Sequence, residues 1–499
     1  AQASSGLQGE HARGILDGAM LLSAWLSLLL LHGARTAGST TSTEELERLV
    51  NAYSDLAPSH LTATVADNAT SQWVAKQLSG ELEVQYQPYA VTGKPTWIPI
   101  GDGDPDSDYG CHLVIDGTSI PCYVVQMPPL SSVQVRNVPM NRVLVVQKTG
   151  VYINSAEQLY KNYTAPGGSL PFDAVIVINM DGWNASGAPN VTMPRPWDWH
   201  QVESTPASIP VVTVSYGFQE VLKGGGHLDS LTLRGTWVHV SSRNVLARPP
   251  RRPEGGLCKP LYIGTPINGF FRCGGERGAG VALLIALAHD FVRPVACGAS
   301  VRNHCWEPIF GFTSGHEQGD TGIEFGMLPY LRSQTAHTNA SLADVPFISL
   351  GASLVNLVGF SANNFAGQGH STLPVRVLTS QPLNASALTL GDRFVSSFAD
   401  ALQMESTGSS ILHIARGSMN LSNVKGAVVQ GLRAGMSAVN LASGWEDRFH
   451  LPTDVGSGSV NVTALHNLLG FLSRALRSTI CELGRRGASQ GLQLQSVWV

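Results

Sequence analysis

The sequence predicts an α/β fold: a mainly parallel mixed sheet flanked by helices, interrupted by an inserted and mostly β module. Three observations predict it. Short apolar β-type runs alternate with helical patterns near the start of the chain and again beyond residue 257, the signature of crossover connections in a parallel sheet. Between about residues 90 and 242 the helical patterns give way to β runs separated by Gly/Pro/Asn-rich turns. The length, 499 residues, exceeds a single ordinary core and leaves room for such an insertion. The expected organisation is an N-terminal signal segment over 1–38, an α/β domain over 39–89 and 244–499, and a β module over 90–243.

In chain order, Ser42-x-x-Glu45 reads as a capping box opening a helix through Val50. A second helix is predicted over Asn68–Leu78, followed by an alternating strand over Leu82–Tyr89. The β module offers Arg142–Gln147, Phe172–Ile178, Ile209–Val214 and Trp237–Val240. After the Pro/Gly-rich connection 248–256 come strands at Pro260–Thr265, Pro308–Thr313, Val345–Leu350, Ile411–Ala415 and Ser437–Leu441. Helices are expected over Gly278–Phe291 and, to close the chain, Val462–Leu483.

Charge and composition exclude some roles. Lys+Arg 32 against Asp+Glu 36 gives a net charge of -4, with no basic stripe to hold phosphates, so no nucleic-acid partner is expected. Only 14% of residues are charged, below the usual quarter, and 43% are hydrophobic, which excludes a disordered chain. Ala19–Leu31 is an uncharged apolar run whose length suits a secretory signal or signal anchor better than a full bilayer span. Glycan acceptors are expected in that compartment, and the N-x-S/T pattern occurs at Asn68, Asn162, Asn184, Asn190, Asn339, Asn384, Asn420 and Asn461. The 7 cysteines fit it too. Their spacing suggests Cys111–Cys122, Cys258–Cys273 and Cys297–Cys305, leaving Cys481 over. The whole reads as a secreted or membrane-anchored glycoprotein.

Polar and small residues at strand ends mark where chemistry would sit in an open α/β sheet. Cys273-Gly-Gly-Glu276-Arg277-Gly-Ala-Gly280 stands at a helix entrance, where Glu276 could face a metal, an anion could bind, or Glu276 and Arg277 could simply share a tight turn. His316-Glu317-x-x-Asp320 approaches the HExxH zinc-protease pattern, but Gly315, Gly319 and Gly322 oppose the regular helix that pattern needs. A strand-end loop presenting His316 and Glu317 is predicted instead. His450, in the loop Asp447–Asp454 before the last helix, has Asp454 nearby to orient it. Val345–Leu350 ends in Gly351 without an ionisable group, and Gly408-Ser409-Ser410 lacks the pattern of a serine-hydrolase nucleophile elbow.

Taken together, these segments resemble the secreted zinc aminopeptidase and glutamate carboxypeptidase family. The order is Ser242–Ala247, a strand, the turn and helix from Glu276 to Ala288, Phe312-Thr-Ser-Gly-His-Glu-Gln-Gly-Asp-Thr-Gly322, and Phe449-His450-Leu-Pro-Thr-Asp454 before a final helix. The β module, notably Ile209–Ser215, looks like the protease-associated domain that many members carry. The resemblance implies a dinuclear zinc site with a general-base carboxylate beside one ligand. Carried over position by position, Glu276 stands at the bridging Asp, Glu317 at a ligand Glu, His450 at the final His and His316 at the base. Pro266 and Gly351 stand where a His and an Asp are required, with Asp344 as a neighbouring substitute donor. The expectation is therefore a divergent member with no resident cofactor, or at most one zinc on Glu276, Glu317 and His450. Such a protein would bind a peptide or protein partner instead of cleaving it. The alternative is an active metallopeptidase with an altered metal site and His316 as base.

Overall fold

The structure is a computed structural model that describes residues 40–99, 110–126, 132–148, 171–179, 209–250, 258–292, 295, 297, 306–338, 340–355, 375–382, 387–412, 414–421, 424, 426–443 and 454–495. The expected signal segment lies outside these residues, as do Asn162, Asn184, Asn190, Asn339, Asn384, Cys305 and His450. Residues 41–499 form one compact unit.

Its elements begin with helices α1 (Thr43–Asp55) and α2 (Val65–Leu78), each started by a hydroxyl cap. Ser42 Oγ accepts the Glu45 N–H, and Thr64 Oγ1 accepts the Asp67 N–H, satisfying donors that the first helical turn leaves open. Next come β1 (Glu83–Pro99), β2 (Cys111–Ile115), β3 (Thr118–Gln126), β4 (Ser132–Pro139), β5 (Val143–Lys148), β6 (Ala174–Asn179), β7 (Val211–Ser215) and β8 (His227–Arg248). The chain continues with β9 (Lys259–Pro266), α3 (Ala279–Asp290), β10 (Trp306–Thr313), α4 (Leu328–Thr338), β11 (Phe347–Leu350) and β12 (Val375–Ser380). It closes with α5 (Leu390–Ser406), β13 (Ile414–Met419), β14 (Ala438–Ala442) and α6 (Val462–Gln495).

The strands run in the order β13-β12-β14-β11-β9-β10-β8 and, beyond β8, β2-β3-β7-β6-β5. Four central strands, β14, β11, β9 and β10, are mutually parallel, while β12 and β13 form a parallel pair laid antiparallel to β14. This is the mixed, mostly parallel sheet that the alternating pattern predicts. Strand β8 joins its two parts: Val245–Ala247 pair with β10, whereas Leu228–Leu233 pair with β2. Strand β1 follows β8 from Glu83 opposite Arg248 to Pro99 opposite Gly235, with a register shift between Ala90 and Pro95.

Helix α3 is apolar on every face because every face is covered; Ala279 to Ala288 are buried together with residues of α1, α5 and α6. A second apolar cluster lies among β2, β3, β6, β7 and the first half of β8, around Leu113, Ile176, Val212 and Leu231. Among the described residues no helix is long and apolar enough to cross a membrane.

The disulfides correct the spacing argument in part. Cys111 bonds to Cys122, as neighbours on paired strands allow. Cys297, however, bonds to Cys481, 184 residues away, because α6 packs back against α3 and brings the late helix to the loop that follows it. Cys258 is disulfide-bonded, but Cys273 is not its partner: Cys273 is a buried free thiol at the helix entrance. Sequence distance was a poor guide wherever the fold closes long loops.

Candidate functional site

The strand ends of β9 and β10 converge on the entrance to α3. The loop Ile267–Arg272 leads from β9 into Cys273, whose backbone takes left-handed angles (φ 32°), and then into a π-helical turn over Gly274–Gly278. The widened turn, a form often found at functional sites, turns both Glu276 and Arg277 into the interior. Its glycines are demanded by space: a Cβ on Gly274 would stand 2.3 Å from the Gly456 carbonyl oxygen.

Asp454 closes the start of this turn. Its Oδ1 accepts the Gly275 N–H at 2.7 Å and its Oδ2 the Glu276 N–H at 2.9 Å, placing a negative charge at a helical N-terminus. Burial pushes the Asp454 carboxyl up to about 6, against the pull of these two N–H donors. Asp454 is therefore a helix cap with both oxygens engaged, a role the sequence reading did not give it.

Arg277 holds the centre. Its Nη2 lies 2.8 Å from Glu276 Oε1 and 2.8 Å from Glu317 Oε1, and all three side chains are 2% exposed or less. Its Nε donates to the Asn268 carbonyl at 2.7 Å, which fixes the plane of the guanidinium. Burial by itself would lower the Arg277 pKa, but the two carboxylates outweigh it, so the group is held firmly charged. One nitrogen thus bridges carboxylates from two separate elements.

Glu317 reaches this point from the loop after β10. Gly315 (φ 77°) and Gly319 (φ 80°) bend the chain through a turn, so His316 and Glu317 do stand on a strand-end loop and not on a regular helix. A second π-helical turn, Gly322–Met327, then leads into α4. His316 and Asp320 still meet, Nδ1 to Oδ1 at 2.6 Å, because the Asp320 N–H bonds back to the His316 carbonyl. Burial and the Arg277 charge pull the His316 pKa down; Asp320 and Glu317 more than offset them, and the net direction is up.

Beneath the ion cluster, Asp67 and Asn268 tie the elements together. Asp67 accepts from the Ala63 N–H, the Ser242 and Ser314 hydroxyls and Asn268 Nδ2, while Asn268 Oδ1 accepts the Gly315 N–H at 2.7 Å. Sequence reasoning missed both residues. Asp67 lies in the first turn of α2, just ahead of the helix the sequence predicts, and Asn268 in a loop, with no motif to mark them.

Pro266, Gly351 and Asp344, which the resemblance sets at or beside ligand positions, have structural roles. Pro266 ends β9, and Gly351 is so enclosed that a Cβ would stand 2.9 Å from the Leu441 carbonyl oxygen. Asp344 caps Ser341 and accepts the Leu390 N–H, and so is committed elsewhere. Among the described residues no group of three His, Cys, Asp or Glu side chains could hold a metal ion. With Glu276 and Glu317 both bonded to Arg277, the described residues do not fit a dinuclear zinc seat.

No protein-family model matches the sequence, and no curated protein matches it. Solved structures do. The chain is similar to BSAP, a zinc aminopeptidase from Bacillus subtilis, with a TM-score of 0.59 at 13% identity over 88% of this chain and 96% of that one. The chain has the zinc exopeptidase fold. An M28 peptidase precursor from Shewanella amazonensis (TM-score 0.55, 13% identity, 88% and 96% covered) shares this zinc exopeptidase fold. So does an aminopeptidase from Aneurinibacillus sp. strain AM-1 (TM-score 0.51, 14% identity, 88% and 94% covered). Here that zinc exopeptidase fold carries a bridging arginine between two carboxylates.

Proposed function

We propose that this chain is a secreted or membrane-anchored glycoprotein that uses the zinc exopeptidase fold to bind a peptide or protein and does not cleave it. The observation that carries the reading is the Arg277 bridge. A cation fixed between Glu276 and Glu317 repels a metal pair and takes up the oxygens that would bind it. In water-excluding surroundings that repulsion is little screened.

Residues 90–243 form, on this reading, a protease-associated-like module, and its strands offer a surface for the partner. The disulfides support an oxidising compartment. Asn68 and Asn420 are exposed and open to glycosylation, whereas Asn461 Oδ1 accepts the Ala464 N–H at the start of α6 and is half-buried. Enzymatic deglycosylation of the secreted chain should therefore shift its mass, and the shift should shrink in Asn68→Gln and Asn420→Gln variants.

The decisive test is made on the purified full chain, equilibrated with zinc and then freed of excess. Elemental analysis should find well under one zinc per chain, and peptides should release no N- or C-terminal amino acids. Stoichiometric zinc together with chelator-sensitive release would restore the altered-metallopeptidase reading, with His316 as its base.

A further inference from the structure

We infer that Arg277 is the resident cation of this site: its guanidinium does, within the chain, the bridging that a metal ion would do between Glu276 and Glu317, and its removal exposes a seat for a hard divalent cation. The inference rests on the proposed loss of zinc chemistry but goes further, because it says what replaced the metal and why the fold is independent of it.

The geometry is that of a bridging ion. Glu276 belongs to the turn before α3 and Glu317 to the loop after β10, and their Oε1 atoms converge on the single Arg277 Nη2. The third contact, Nε to the Asn268 carbonyl, comes from the loop after β9. Three segments are thus clamped by one charge, as metal sites clamp separate loops. The site is also electron-rich beyond what the guanidinium neutralises: it sets one positive charge against two carboxylates. Glu317 Oε2 is buried with no hydrogen-bond partner among the described residues. A buried polar atom of this kind calls for an explanation. It is a donor oxygen that a cation in place of the guanidinium could take up.

The donors that would remain decide the cation. Two carboxylates and the freed Asn268 carbonyl are oxygen ligands, which suit calcium, magnesium or manganese better than zinc. Among the described residues the softer donors nearby are engaged or protonated. His316 Nδ1 is engaged by Asp320, and burial pushes the Cys273 ionisation well above its usual value, with the thiol 3.4 Å from the Tyr53 hydroxyl. A thiolate would be required for a zinc ligand.

The experiment is thermal unfolding of the full chain, wild type and Arg277→Met, in EDTA and in millimolar calcium, manganese or zinc chloride. The wild-type melting temperature should be the same in all four. Arg277→Met should melt at least about 5 °C lower in EDTA, since breaking a buried ion pair leaves charge uncompensated. It should recover most of that loss in calcium or manganese, by preferential binding to the folded state. The neutral triple variant Glu276→Gln/Arg277→Met/Glu317→Gln should be insensitive to every cation. If Arg277→Met does not fold in EDTA, its refolding yield with and without calcium or manganese replaces the melting curve, and cation-dependent recovery supports the inference. Overturning results are an Arg277→Met as stable as wild type in EDTA, no response of that variant to any cation, or an equal response of the triple variant. None of these touches the proposed loss of peptidase action, which fails only if the wild-type chain holds zinc and releases amino acids.

Discussion

The interior of this chain is built in two different ways. At the entrance to α3, Glu276, Arg277, Glu317 and Asp454 lie within 2% of full burial, each held by named partners. Among β2, β3, β6, β7 and β8, the buried residues are mostly apolar and include Leu113, Ile115, Ile176, Val212, Val214 and Leu231, with a disulfide closing the hairpin beside them. Apolar burial is non-directional and scales with area, so many side chains of similar volume satisfy it. Buried charge is directional and has no such latitude, because removing one partner strands the others. The first region therefore fixes the relative placement of three loops, and the second supplies bulk cohesion.

The sharpest break of this contrast is Arg277→Met. Uncompensated Glu276 and Glu317 should cost about 3–5 kcal/mol of stability, read from denaturant midpoints near neutral pH. Replacing all three members by neutral residues should recover much of that loss, since the cost comes from the stranded charges. A single variant as stable as the triple one would mean that the charges are not the organising feature.

Leu113→Ala breaks the other region. Leu113 is fully buried, and truncation should cost about 3 kcal/mol through lost transfer energy and the cavity left behind. Unlike the arginine variant, it should respond in the same way at every pH and cation concentration. A pH-dependent penalty would show that the two interiors are coupled. Removing the neighbouring Cys111–Cys122 bridge by a double Cys→Ser exchange should cost slightly less, about 2–3 kcal/mol, since the loop it closes spans only 11 residues.

What the sequence disclosed follows the same division. The apolar region and the parallel strands are legible as patterns, and β9, β10, β11 and β14 lie within two residues of their predicted bounds. Strands β2, β3, β4 and β12 escaped notice: β2 has only 5 residues, Pro121 interrupts the pattern of β3, and β4 alternates without a fully buried face. At the charged site, Glu276, Arg277 and Glu317 could be singled out by residue type, with a shared turn of Glu276 and Arg277 as one reading among several. That Arg277 would also bridge to a residue 40 positions later is a tertiary fact, which no local spacing encodes. Asp67 and Asn268 were invisible for the same reason: each acts through hydrogen bonds to distant backbone or side chains.

The smallest effect separates buried neutral polarity from buried charge. His60 is fully buried and stacked on Tyr53 with ring centroids 4.2 Å apart. Thr70 Oγ1 spends its proton on the Ala66 carbonyl, so His60 Nδ1, 2.8 Å away, must be the donor to that hydroxyl. Burial lowers the His60 pKa to about 3, below the 6.5 it has when unfolded. Above pH 6.5 neither state binds the proton and the residue contributes no pH slope. Between 6.5 and 3 only the unfolded chain binds it, so stability falls as pH falls, by about 1.4 kcal/mol per unit. Asp454 acts in the opposite sense: its carboxyl, raised to about 6, takes up a proton in the folded state first and gains stability as pH drops through that range. Comparing His60→Gln with wild type cancels the Asp454 contribution, which is common to both. Denaturant midpoints at pH 7, 6 and 5 should then show the variant losing about 1 kcal/mol less per unit below 6.5. Parallel profiles would mean that His60 is protonated in the fold, and that this part of the interior carries charge after all.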